Sequence, residues 1–231
     1  MKAVATMAEA GAVAAPMVYQ SVNQAVLRSV PLTARRVLDI GCGGGLFGAA
    51  LKTRQDCQVA GVTYSEAEAR QARTRLDQVE VADLNRIDIA TLGRHDCIVC
   101  SHVLEHLHAP QHLLQGLRQC LEPGGSLVVA LPNVLFWKQR LQFLRGRFRY
   151  TEGGLMDSTH FRFFDWDSAA ELVRGAGYTL RERRADGVLP LSRLLGHRLA
   201  QGLDRQALAL LPGLLGVQFV LQGQRADDAR S

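Results

Sequence analysis

The stretch VLDIGCGGGLFGAAL, residues 37–51, sets five glycines within eight positions directly after four residues that read as a buried strand. Glycine-rich turns from strand to helix serve phosphates, dinucleotides and other nucleoside-derived ligands, and the surroundings of the turn separate these cases. Glycines at 41, 43 and 45 allow a tight turn and the close approach of a ligand, and the next helix starts with its positive end aimed there. The spacing is G-x-G-x-G, not the G-x-G-x-x-G of a dinucleotide turn; bulky Leu46 and Phe47 follow, and the lysine of a phosphate loop is missing. Asp39, at the strand end, suits a ligand with a cationic amino acid part better than a pyrophosphate.

Around this turn lies a chain of 231 residues, 47% hydrophobic and 21% charged, enough for one α/β domain whose core needs no staple. No uninterrupted apolar run reaches the roughly 18 residues of a membrane span. The alanine-rich start, MKAVATMAEAGAVAAP, has Glu9 inside its would-be apolar region. It reads as a poorly ordered leader over residues 1–17 rather than a secretion signal, with a single domain over 18–231. Five cysteines make no disulfide framework. Cys97 and Cys100 are spaced C-x-x-C but fall in a core strand, DCIVC, without the second pair that a zinc site needs. Buried thiols and a cytoplasmic compartment are expected. The net charge of +5 is mild, yet WKQRLQFLRGRFRY (137–150) holds five basic residues and no acid. That stretch is either a solvated helix face or a surface turned toward an anion.

From Arg36 onward, strand-like and helix-like segments alternate. RVLDI, CQVAGV, QVEVAD, DCIVC and SLVVAL read as short buried strands, with EPGGS (122–126) as the turn before the fifth. Between them lie the helical patterns GLFGAALKT, SEAEARQARTRL and VLEHLHAPQHLLQGLRQCL. This rhythm argues for a doubly wound parallel sheet. Three segments interrupt it: a helical stretch before the first strand, a lid-like insertion over about 133–166, and an amphipathic helical insertion at about 190–213. The last lies between YTLRERRA and GVQFVLQGQR, which read as an antiparallel closing pair.

With its neighbours, VLDIGCGGG resembles the first motif of the class I S-adenosylmethionine-dependent methyltransferases. VADL (81–84) resembles their acidic loop after the third strand, CSHVLEHL the segment after the fourth, and LEPGGSLVVALPN the fifth-strand motif. The resemblance runs from about residue 18 to the end. It implies a Rossmann-like, doubly wound α/β fold with seven strands, mostly parallel with a reversed last strand. It also implies S-adenosylmethionine as cofactor, held by Asp39, Gly41, Cys42, Gly43 and Gly45, by Thr63 and Tyr64, and by Ser101. Asp83 would bond the adenine amino group and Leu84 would offer a backbone contact. Thr63 stands where this family usually carries an acid that grips both ribose hydroxyls, and a hydroxyl makes fewer and weaker bonds than a carboxylate. Similar Val-Thr-x-Ser endings occur in cyclopropane fatty acid synthases. Tyr64 either packs near the adenine, the reading taken here, or fills the sheet edge.

Methyl transfer from a sulfonium is an in-line displacement. The protein supplies position, desolvation and, for an oxygen acceptor, a way to remove a proton. On a helix after the fourth strand, His102, Glu105 and His106 would share a face at i, i+3 and i+4, and His160 belongs to the insertion expected over the same crevice. Two readings follow. In the first, one of these histidines, His160 or His102 ahead of His106, is a general base. In the second, which stands behind it, His102, Glu105, His106 and His160 bind a divalent metal that polarises an acceptor hydroxyl. Some ubiquinone-pathway and small-RNA 2′-O-methyltransferases resemble the second, with a Glu-x-x-Glu-His segment; this chain has His102 in place of the first glutamate. Asn133, after Pro132, is either an orienter of the acceptor or a turn residue. Asp165 and Asp167 read as caps of the helix SAAELVRG.

The insertion LPNVLFWKQRLQFLRGRFRYTEGGLMDSTHFRFF resembles one in bacterial methyltransferases of surface-glycan pathways. That implies a small-molecule or glycan acceptor, a hydroxyl of a nucleotide- or lipid-linked carbohydrate. Lys138, Arg140, Arg145, Arg147 and Arg149 suit a phosphate-bearing acceptor, or a peripheral position on an anionic membrane. Three alternatives stand beside it. The aromatic, histidine-rich part of the insertion favours a quinone or small-aromatic O-methyltransferase. An RNA methyltransferase would use the same basic segment, without a separate RNA-binding module; DNA is not expected. A non-catalytic partner protein of this fold is the third, since a methionine-biosynthesis partner has a similar FPN…W…R…RGR segment.

Overall fold

The computed structural model describes residues 22–187 and 197–225. The leader expected over 1–17 and the first part of the helical insertion from 190 lie outside the described residues. In chain order the elements are α1 (Gln24–Ser29), β1 (Arg36–Ile40), α2 (Leu46–Arg54), β2 (Gln58–Thr63), α3 (Glu66–Ala72), β3 (Gln78–Val81) and β4 (His95–Ser101). Then come α4 (Pro110–Leu117), β5 (Leu121–Pro132), α5 (Trp137–Leu144), α6 (Trp166–Gly175), β6 (Tyr178–Asp186), α7 (His197–Leu210), α8 (Pro212–Leu215) and β7 (Gln218–Arg225). The seven strands form one sheet in the order β3-β2-β1-β4-β5-β7-β6. Strands β1 to β5 pair in parallel, and β7 lies antiparallel between β5 and β6. The reversed strand is thus the last one, as expected.

The central strands are buried on both faces, which is why they read as continuous apolar runs. Alternate residues feed opposite layers: Leu38, Ile40 and Ile98 join one cluster with Leu114 and Phe219, while Val37 and Val99 join another with Leu51 and Val59. The strand order reverses between β1 and β4, so a crevice opens at their carboxyl ends, where α/β sheets hold ligands. Cys97 and Cys100 are fully buried within β4, and burial pushes the Cys97 thiol up to about 12. Among the described residues, no helix is long and apolar enough to cross a membrane.

Three local expectations change. EPGGS does leave the sheet, but as an irregularity within one long β5. Its pairing with β4 jumps from His95↔Leu121 to Cys97↔Ser126, and Gly124 has φ +77°. The helical pattern through VLEHLHAPQHLLQGLRQCL breaks into a 3-10 turn at Leu104–His106, then α4, then a second 3-10 turn at Arg118–Cys120. Pro110 causes the break: it starts α4, lacks an N–H, and holds Ala109 out of helical geometry. At α6, Asp165 is the cap, in a capping box with Ser168, whereas Asp167 pairs outward with Arg183 at 3.2 Å.

Gly61, in β2, marks the tightest approach of sheet to turn. A Cβ there would lie 2.6 Å from Cys42 Sγ and 2.7 Å from Leu76 Cδ1. Gly61→Ala is therefore expected to destabilise the fold by about 1–3 kcal/mol through overpacking, read as a lower urea midpoint with an unchanged denaturant slope.

Candidate functional site

The turn after β1 is bent back onto β2. Gly41 N and Cys42 N both donate to Val62 O at 2.9 Å, and Gly45 N donates to Cys42 O at 2.9 Å. Gly41, Gly43 and Gly45 have φ of +79°, +50° and +80°, a region glycine enters without a Cβ penalty. Their neighbours differ. A Cβ at 41 would lie 2.8 Å from Val103 Cγ2, and one at 45 would lie 3.1 Å from Ala72 Cα. At 43 the nearest atom is Glu68 Oε1, at 4.0 Å. A side chain at Gly41 or Gly45 would thus meet protein, whereas of the three Gly43 borders open space.

Asp39 is 3% exposed and its Oδ2 has no hydrogen-bond partner. Burial pushes its carboxyl up to about 7. An unmet buried acceptor is costly unless a donor or cation meets it, and the ammonium of S-adenosylmethionine's amino acid end is such a group. The residues therefore fit the cofactor. Cys42 is buried close by; burial, then the charges of Asp39 and Glu68, push its thiol up to about 12, so it is an inert wall. Ser101 ends β4 opposite Ala130. Asp83 Oδ1 accepts from Asn85 N (2.9 Å) and Nδ2 (3.1 Å), bonds that hold its carboxyl below the usual range and leave the second oxygen without a partner among the described residues. Leu84 rests its side chain on the core. Tyr64 is 78% exposed, so any cover it gives an adenine is made with the ligand and not with the fold.

Thr63 is not without an acid. Its hydroxyl donates to Glu68 Oε2 at 2.7 Å. Glu68 was not among the expected site residues; in sequence it sits at Ser65-x-x-Glu68, a spacing common at helix starts, and Ser65 is the cap of α3.

On the other side of the turn, Val103 links Gly41 to the segment after β4. Glu105, His106 and His160 each bring one ligand-capable atom within 4.8 Å of the others. Glu105 and His160 are buried, with Glu105 Oε2 and His160 Nδ1 lacking partners. Burial pulls the His160 imidazole below its ordinary value. His106 Nδ1 faces Thr159 O at 3.2 Å and Thr159 Oγ1 at 3.0 Å, while that hydroxyl donates to Asp157 Oδ1 at 2.7 Å. His106 Nδ1 therefore carries the proton and Nε2 presents a lone pair. Backbone bonds fasten the insertion here, with Phe161 N and Arg162 N donating to Glu105 O at 2.9 and 3.1 Å.

Three expectations are corrected. His102 touches Glu105 but does not join the cluster, because the helix that would align it is absent and its φ is 53°. Its Nδ1 faces Glu105 Oε1 at 3.3 Å and its Nε2 faces Gln218 Oε1 at 2.8 Å. Gln218 is oriented by donating to Asp186 Oδ2 at 2.7 Å. Burial lowers the ring's proton affinity, but Glu105 and Gln218 outweigh it and hold His102 above the ordinary histidine value. With acceptors at both nitrogens, His102 has no lone pair for a base or a metal. Asn133 is fully buried and spends its amide on Gly213 O and Gly216 O (3.0 and 2.8 Å), and its oxygen on Leu135 N (2.9 Å); it supports the backbone, not an acceptor. Arg140 likewise bonds Leu135 O and Gly213 O. Lys138, Arg147 and Arg149, by contrast, line a cavity of about 400 Å³ with Phe136, Leu155 and Met156.

Comparison with known proteins agrees with this fold. Residues 18–183 match the family model of the methyltransferase domain. A ubiquinone biosynthesis O-methyltransferase of Coxiella burnetii is 32% identical over 111 residues, 46% of this chain and 47% of that protein. One of the same name from Acinetobacter baumannii is 27% identical over 164 residues, 67% of this chain and 68% of that protein. The match thus spans about half the length of the Coxiella relative and two thirds of the Acinetobacter one. In fold, a SAM-dependent methyltransferase of Archaeoglobus fulgidus superposes with a TM-score of 0.61 at 18% identity, covering 90% of this chain and 97% of that one.

Asp39 yields a stability prediction. Its carboxyl moves from 3.8 to about 7 on folding, so the folded state holds a proton that the unfolded state has lost. The cost of ionising it grows as pH rises from about 4 to 7 and is constant above. Asp39→Asn should melt several degrees higher than the parent at pH 8, with the gain shrinking at pH 5, while its affinity for S-adenosylhomocysteine falls. Melting curves at both pH values and calorimetric titration test this; a gain equal at both would refute the buried-carboxyl account.

Proposed function

The chain belongs to the methyltransferase-domain family, with S-adenosylmethionine as its cofactor, and from that premise we propose that it methylates a phenolic oxygen of a quinone precursor or similar small hydroxylated aromatic. The observation that carries this reading is the Glu105–His106–His160 cluster, in which Glu105 and His160 are buried and His106 half-buried, on the segment that Val103 packs against Gly41. Proton affinities favour the phenol over the sugar hydroxyl. A phenol ionises near pH 10 and an alcohol nearer water's 15.7, against about 6.5 for imidazole. Transfer to histidine is then uphill by about 5 kcal/mol for the phenol and about 12 for the alcohol. The relatives named for ubiquinone biosynthesis support the same choice, and the carbohydrate reading gives way to it.

When bound, S-adenosylmethionine supplies an electrophilic methyl group on a sulfonium. Asp39 takes the ammonium of its amino acid end, and the open side of Gly43 admits the ligand against the backbone. His160 accepts the phenolic proton, and Glu105 Oε2, which has no partner among the described residues, stabilises the imidazolium so formed. His106 presents Nε2 to the acceptor. The cavity beside α5 has an apolar floor and a basic rim, which suits an aromatic body with an anionic substituent. Exposed Leu144, Phe148 and Tyr150 alternate there with Arg145, Arg147 and Arg149, a composition that supports peripheral contact with an anionic bilayer.

A second reading rests on the same three side chains. One carboxylate and two imidazoles within 4.8 Å suit a divalent cation, which would lower the acceptor's pKa. Glu105, His106 and His160 would hold it; His102 would not.

Chelator-stripped protein, offered S-adenosylmethionine with catechol carboxylic acids or with sugar nucleotides, tests both. Methylation of the phenols without metal is expected, and His160→Gln should lower kcat by about 10²–10⁴ with the affinity for S-adenosylhomocysteine unchanged. Activity that vanishes on chelation and returns with Mg²⁺ or Mn²⁺ would replace the base by the metal. Turnover of sugars alone would overturn the acceptor.

A further inference from the structure

We infer that Glu68 grips the ribose hydroxyls of S-adenosylmethionine, the acid for that task being carried by α3 instead of by the end of β2. The inference rests on the cofactor reading above and concerns this chain's departure from the usual arrangement.

Thr63 occupies the strand-end position and is 2% exposed. Its hydroxyl has a single proton, committed to Glu68 Oε2 at 2.7 Å. That bond fixes the carboxylate over the end of β2 and leaves Oε1 on the side of Gly43, the one glycine of the turn with open space beside it. Oε1 takes no hydrogen bond among the described residues, and no Lys or Arg there pairs with Glu68. Its neighbour Glu66 behaves as a surface acid does, bonding Arg73 at 2.6 Å in the open. Arg75, which could have neutralised Glu68, bonds Gly44 O instead.

A capping role does not account for this geometry. In a capping box the glutamate side chain returns to the cap residue's N–H. Here Ser65 Oγ accepts from Glu68 N at 3.4 Å, but the carboxylate goes to Thr63. The chemistry matches a vicinal diol, whose two O–H donors are met together by the open lone pairs of a carboxylate. Asp39, whose Oδ2 has no partner among the described residues, also acts on Cys42, so two acids stand by the turn: one for an ammonium, one for a diol. Thr63 then acts as a positioning residue that holds Glu68 and does not itself need to reach the ligand.

The test is a set of calorimetric titrations with S-adenosylhomocysteine and its 2′,3′-dideoxy analogue, with thermal melting as a check of folding. Glu68→Ala is expected to weaken S-adenosylhomocysteine 30- to 100-fold and Glu68→Gln about tenfold, with neither changing the affinity for the dideoxy analogue by more than about threefold. Thr63→Val, which frees the carboxylate, should weaken the diol-bearing ligand alone by a smaller factor. Binding by Glu68→Ala within threefold of the parent, or equal losses for both ligands, overturns the role of Glu68 and leaves the cofactor site standing. A parent protein that binds neither ligand overturns the cofactor reading and this inference with it.

Discussion

Val62 O accepts hydrogen bonds from both Gly41 N and Cys42 N, and the arrangement of the site follows from that shared carbonyl. It bends the chain leaving β1 over the neighbouring strand, so that Asp39 ends beneath the bend and Thr63 beside it. Val103 then presses on Gly41 from the β4 side, which seats the segment holding Glu105 and His106. A second shared carbonyl, Glu105 O, takes Phe161 N and Arg162 N and brings His160 in from the insertion. Both fastenings are main-chain bonds, so they constrain where side chains stand without dictating which side chains they are.

That division explains what could be read from the sequence. Strands β1 to β5, the switch point and the antiparallel close were legible because burial on both faces forces continuous apolar runs and because glycine is required where φ is positive. The roles of individual site residues were less legible, since they depend on contacts between distant segments. Asn133 stood between acceptor orienter and turn residue until Gly213 and Gly216, some 80 residues on, proved to claim its amide. His102 looked aligned with Glu105 and His106 until Pro110 shortened the helix. Glu68 sits in a local pattern, Ser-x-x-Glu, that explains the residue without reference to the strand end next to it.

Two of the buried carboxylates sit in opposite surroundings. Asp39 meets no cation among the described residues, and burial alone sets its proton affinity. Glu105 has His102 against one oxygen and nothing against the other, so its charge is half answered. An acid left wholly unanswered suits a permanently cationic ligand group. One half answered suits a partner whose charge comes and goes, as a histidine's does during proton transfer. The same residue type thereby serves binding on one side of the turn and chemistry on the other.

Asn23 and Gln218 exchange hydrogen bonds across 195 residues of sequence, and Gln218 in turn supports His102. The strand that carries Gln218 also lies between β5 and β6, so β6, although made earlier, has no place on the sheet until β7 arrives. At translation rates of about 5–20 residues per second, the 116 residues from His102 to Gln218 take roughly 6–23 s to appear. From the completion of β5 until β7 follows, the nascent chain exposes the unpaired edge of β5 and an unsupported His102. Closure of the sheet and completion of the site are therefore one late folding event, and the growing chain is most open to misassembly just before it gains function.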